Sequence, residues 1–181
     1  MFANPVVTAL ALSLALSLPA AAQDSDLDRL FDRLAQPVLP EWQTVEDDIW
    51  RAWSRSGSPA MDLLLQRGRD ALERGETAAA IGHLTALTDH APDFAEGWNA
   101  RATAFFQAGR YGESLSDIRR TLALEPRHFG ALAGLGAILR ELGREAEALE
   151  VFRAVRAIHP HQPGLDETIE GLERAVEGMS L

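Results

Sequence analysis

Prolines recur at 92, 126 and 160, thirty-four residues apart, and positions of quite different chemistry keep the same interval. Proline has no backbone N–H and biases the preceding residue away from the α region, so each of these sites should close a helix. Gly75, Gly109 and Gly143 share the interval, each followed by polar residues where a tight interhelical turn belongs. So do Leu64, Trp98 and Leu132, then Ala71, Phe105 and Leu139, then Leu84, Ile118 and Phe152. Leu124 has an apolar partner in Ile158. Two apolar helical stretches inside each 34-residue period describe a repeat of helical hairpins. One hairpin cannot bury its own apolar face, so consecutive hairpins must stack. "TLALEPRHFGALAGLG", residues 121 to 136, is then a junction between two units.

These residues resemble the tetratricopeptide repeat, whose pattern of an aromatic, leucine-glycine, tyrosine, alanine, phenylalanine and proline is partly kept. The likeness is clearest in "WNARATAF" (98 to 105), "LAGLGAIL" (132 to 139) and "ALEVF" (148 to 152). It covers three units, 61 to 94, 95 to 128 and 129 to 162. Gly68, Ala102 and Gly136, with Ala80, Ser114 and Ala148, fall where the two helices of a unit approach closely. Arg67 and Arg101 stand where the family usually has leucine, and Leu87 and Val155 replace a small residue. The resemblance implies an all-α, right-handed superhelix of stacked helical hairpins.

Both ends read as helices outside the three units. In 163 to 178, Leu165, Ile169, Leu172 and Val176 share a face opposite Glu170, Glu173 and Glu177, which suits a C-terminal capping helix. Residues 23 to 60 form an N-terminal helical arm with one stripe at Leu27, Leu30, Phe31 and Leu34 and another at Trp42, Val45, Ile49 and Trp53. Leu30, Trp50 and Trp53 precede Leu64, Leu84 and Leu87 by the repeat interval, so the arm is expected to be a degenerate repeat with Trp50 packed on the first intact unit. Ahead of it, residues 1 to 22 carry no charged side chain, an apolar run from Val6 to Leu18, and Pro19 before Ala20-Ala21-Ala22. That run is too short for a bilayer, which takes about 20 residues, and reads as a signal peptide cleaved after Ala22. Export to a bacterial periplasm is the expectation, with no stable membrane insertion after cleavage. All 17 basic residues are arginine, in keeping with a GC-rich coding genome.

A net charge of -10 argues against nucleic acid as a partner, and the absence of cysteine removes disulfides, thiolate metal sites and a cysteine nucleophile. No HExxH, GxSxG or phosphate-loop pattern is present. Of the five histidines, His128 and His161 fall in neighbouring inter-unit turns, and stacking could bring them near each other; a small hydrolase or metal protein using that pair is therefore the enzyme alternative. Self-association through the N-terminal tryptophans, giving a homo-oligomer, is the third reading. No cofactor is called for.

The resemblance implies that the first helix of each unit lines a concave groove. On the face away from the packing stripe lie Leu65, Arg69 and Leu72, then Asn99, Thr103 and Phe106, then Ala133, Ala137 and Arg140, each triplet spaced i, i+4, i+7. Ala100, Gly130 and Gly134 beside them are small, so a helix or extended segment could approach closely between Arg69 and Arg140. Chaperone-binding members of the family clamp a carboxylate tail with basic and asparagine side chains. The matching positions, Leu65, Ala100, Gly130 and Gly134, lack them. The expectation is a non-catalytic scaffold that holds a protein or peptide partner in this groove during envelope assembly or protein maturation.

Overall fold

The computed structural model describes residues 20–179, with side chains from Asp26 to Gly178, so most of the expected leader lies outside the described residues. Nine helices run through them: α1 (Ala20–Leu34), α2 (Trp42–Trp53), α3 (Pro59–Glu73), α4 (Thr77–His90), α5 (Ala95–Gln107), α6 (Tyr111–Leu124), α7 (Phe129–Glu141), α8 (Glu145–Ile158) and α9 (Leu165–Met179). α3 pairs with α4, α5 with α6 and α7 with α8, while α4 packs on α5, α6 on α7 and α8 on α9. The first helices of successive units also touch, α3 with α5 and α5 with α7, so the hairpins wind into a superhelix.

The turn within each unit follows from its glycine. Gly75, Gly109 and Gly143 hold φ of 73°, 69° and 67°, where a side chain would be strained. The Gly75 N–H reaches Leu72 O at 3.0 Å and the Glu76 N–H reaches Ala71 O at 2.8 Å, which satisfies the last carbonyls of α3. Small residues then set how close the two helices come. A Cβ on Gly68 would lie 2.5 Å from Leu84, and one on Gly136 would lie 2.7 Å from Phe152. In the middle unit Ser114 fills the gap and donates to Ala102 O at 2.8 Å.

Arg101 shows why a cation can stand where leucine is usual. It holds Asp117 through two hydrogen bonds of 2.7 and 2.9 Å and Thr88 Oγ1 at 2.8 Å, so one guanidinium ties α4, α5 and α6 together. Trp98 covers it at 4.8 Å. Arg67, the equivalent residue of the first unit, is exposed, because no preceding unit covers α3 there. Leu63 on the same helix is 45% exposed for the same reason.

α1 and α2 do form a hairpin, but it does not extend the stack. Its core residues Phe31, Leu34, Val45, Ile49 and Trp53 share one cluster with Phe129, Leu139, Phe152, Val155, Leu165 and Ile169. Trp50 therefore meets the third unit, not the first as the spacing predicts. Tryptophan takes the place of Leu84 and Leu87 and is too bulky for the close contacts of a regular unit. The linker 54–58, with Gly57 at φ 83°, turns the arm back over the repeats.

Candidate binding groove

α5 and α7 run side by side and frame an open hollow of about 140 Å³. Its wall and floor are Asn99, Ala102, Thr103 and Phe106 from α5, Ser114 and Ile118 from α6, and Gly130, Ala131, Gly134 and Ala137 from α7. Small residues leave this space because the α7 backbone carries no bulk on that side. Phe106 stands at the rim, half-buried, with its ring 5.5 Å from Tyr111. Thr103 is exposed and donates to Asn99 O at 3.1 Å. An apolar floor with Thr103 and Phe106 at its rim suits a side chain delivered by a polypeptide whose backbone stays near water.

A buried ionic cluster supports the N-terminal end of this hollow. Glu96 is 2% exposed and accepts from Arg69 Nη2 at 2.6 Å and from Asn99 Nδ2 at 3.0 Å. His128 Nε2 lies 2.9 Å from the same carboxylate. His128 Nδ1 accepts the Ala131 N–H at 3.2 Å, which also caps α7. A ring nitrogen that accepts carries no proton, so Nε2 is the protonated one and donates to Glu96. Charge and hydrogen bonds thus compensate the burial of the carboxylate.

Above this cluster sits the arm. Trp53 stacks on His128 with ring centroids 4.0 Å apart and planes within 9°. Trp50 meets His128 and Phe129 edge-on at 5.5 and 5.4 Å. A Cβ on Gly130 would lie 2.7 Å from Trp50 Cη2, so the glycine is what admits the indole. Gly130 also lines the hollow, so Trp50 sits beside the hollow's N-terminal end. Further along, Trp42 packs at 5.6 Å from His159 and stacks at 6.2 Å on His161, whose Nε2 bonds Gln36 O at 2.8 Å. Glu46 Oε1 approaches His159 Nε2 to 3.5 Å, and Arg127 binds Asp28 at 2.8 Å.

Of the expected groove residues, Asn99, Thr103, Phe106 and Ala137 come together at the hollow. Leu65, Leu72, Arg69, Ala133 and Arg140 do not line it. Leu65 is 2% exposed in the core between the first two units, with Leu72 packed beside it. Arg69 is committed to Glu96 and to Ser54 Oγ at 3.0 Å, Ala133 packs in the cluster shared with the arm, and Arg140 opens toward α9. Nor are His128 and His161 joined: the first is held by Glu96, Trp50 and Trp53, the second by Gln36, Trp42 and His159. Among the described residues no three His, Asp or Glu side chains converge as a metal would require. Glu96 was missed because a carboxylate on an amphipathic helix reads as solvated. Its spacing of three from Asn99, on the same face, was the available signal.

The tetratricopeptide repeat model matches residues 65–119 and 99–163. The chain is 36% identical over 153 residues to a TPR repeat-containing protein of Rhizobium etli, covering 84% of this chain and 75% of that one. Among solved structures it is similar to the Sgt2 TPR domain from Aspergillus fumigatus, with a TM-score of 0.63 and 21% identity over 68% of this chain and 83% of that one. It is similar also to the first TPR of RPAP3 bound to an HSP90 peptide, with a TM-score of 0.63 and 22% identity over 66% of this chain and 98% of that one.

Proposed function

The chain belongs to the tetratricopeptide repeat family, and from that premise we propose that it is a non-catalytic interaction module which holds a polypeptide segment in the hollow between α5 and α7. The observation that carries this is the open apolar floor of Gly130, Gly134 and Ala137 facing Phe106. The similar RPAP3 domain holds a peptide, which supports the reading by analogy. The carboxylate clamp of chaperone-binding members is not carried over, since Leu65 is buried and Gly130 lies under Trp50. The partner therefore enters through an apolar side chain rather than a charged tail. Phe106→Ala should weaken capture by ~2 kcal/mol, about thirtyfold, with a modest loss of stability and the fold retained. Ala137→Arg should block capture by filling the floor. Glu147→Arg, on the second helix of the third unit, should leave capture intact. Pull-downs from the native host, with each variant checked by circular dichroism, decide the matter. Loss with Glu147→Arg alone places the partner elsewhere.

The setting we propose is an exported one, with a task in envelope assembly or protein maturation. The apolar run Val6 to Leu18 and Ala20-Ala21-Ala22 support it. Cleavage after Ala22 would remove only the start of α1 and leave Leu27, Leu30 and Phe31, which pack in the arm's core. Intact mass of the protein from its native host should begin at Gln23. A full-length species in the cytosol would sink the idea.

A further inference from the structure

α2 seats against Gly130, at the edge of the groove's N-terminal end, so the chain displays a helix that this edge accepts. We propose that α2 is a resident ligand of the groove, and that the partner which displaces it is a helix bearing two aromatic side chains one turn apart with a carboxylate one turn before the first. This rests on the groove reading above. Glu46, Trp50 and Trp53 supply the pattern: Trp50 seats on Gly130, Trp53 stacks on His128, and Glu46 faces His159.

Four features make the seat exchangeable. First, α2 holds the repeats by side chains: tryptophan rings, the Glu46–His159 approach and a Ser54–Arg69 hydrogen bond. Second, among the described residues Trp53 Nε1 and His159 Nδ1 are buried without a hydrogen-bond partner, a cost that undocking removes. Third, the five-residue linker 54–58 is fastened to α3, Ser56 N–H donating to Asp62 Oδ1 at 2.8 Å and Ser56 Oγ at 2.6 Å, so a lifted α2 stays tethered beside its seat. Fourth, Gly130 is shared between the Trp50 seat and the open hollow, so an incoming helix gains a foothold beside Phe106 before the arm leaves. A groove filled by its own arm weakens a competitor in inverse proportion to the fraction of time it is open.

The test uses the full chain as receptor and a fluorescent peptide of residues 41–56, "EWQTVEDDIWRAWSRS", as probe, read by anisotropy. The double variant Trp50→Ala, Trp53→Ala should bind the peptide at least about tenfold more tightly than the native chain, because its own arm no longer competes. Asp28→Arg, which opposes Arg127 and leaves every tryptophan in place, should give a smaller gain in the same direction. A peptide carrying the same two alanines should not bind. Equal affinity for native chain and double variant, or binding by neither, overturns the proposal. Elution of Asp28→Arg as a dimer would support it, since the vacated groove then takes a second copy's hairpin. Loss of partner capture in Phe106→Ala tests the groove reading separately, without the peptide.

Discussion

Glu96 is the residue on which the site turns. It is a carboxylate at 2% exposure that answers to a cation, an amide and an imidazole from α3, α5 and the start of α7. Removing it leaves His128 Nε2–H and Asn99 Nδ2 buried without an acceptor, while Arg69, about a third exposed, recovers water. Glu96→Ala should therefore cost about 3 kcal/mol, the low end of the range for breaking a buried pair. A urea midpoint that falls with unchanged slope checks it, and a loss under about 1 kcal/mol would reduce Glu96 to a surface residue. Arg101 makes the same point in the fold proper. The 34-residue alignment marks it as a departure, and only its contacts with Asp117 and Thr88 explain it.

At the scale of elements, α2 is held against the turns that follow α6 and α8, and one of its contacts is pH-dependent. Burial lowers the His159 pKa below its ordinary value, partly opposed by Glu46, and His161 nearby adds to the lowering. Phe129 and Trp42 complete its surroundings. With the docked value depressed, both states are neutral at high pH and docking keeps its full stability. As pH falls past about 6.5 the undocked state takes up a proton first, and stability declines until the docked value is passed. Tryptophan fluorescence and urea midpoints should therefore be constant from pH 8 to 7 and fall as the pH drops below about 6.5. His159→Phe should flatten that fall. If the midpoint rises on acidification, Glu46 rather than burial governs the ring.

For the whole molecule, the arm joins the N-terminus to the third unit and so couples parts of the array that nearest-neighbour stacking would leave independent. Trp50→Ala should cost about 2–3 kcal/mol, below the range for a fully buried aromatic because Trp50 is half-buried. Hydrogen exchange should quicken in α7 and leave α3 and α4 unchanged. Loss of protection in α3 instead would restore the arm to the front of the stack. The repeat itself was legible from sequence, since prolines, turn glycines and small interhelical residues act within one unit and recur at one interval. So was the line Asn99, Thr103 and Phe106, which a single helix fixes by its own periodicity. The arm's destination was not: Trp50 and Trp53 keep the repeat interval, but interval cannot tell which of two apolar faces a bulky ring will find. Gly130, lying about eighty residues after Trp50 and lacking the Cβ that would exclude it, decided that contact. Local chemistry wrote the periodic helices, whereas steric fit between distant residues chose how they close on each other.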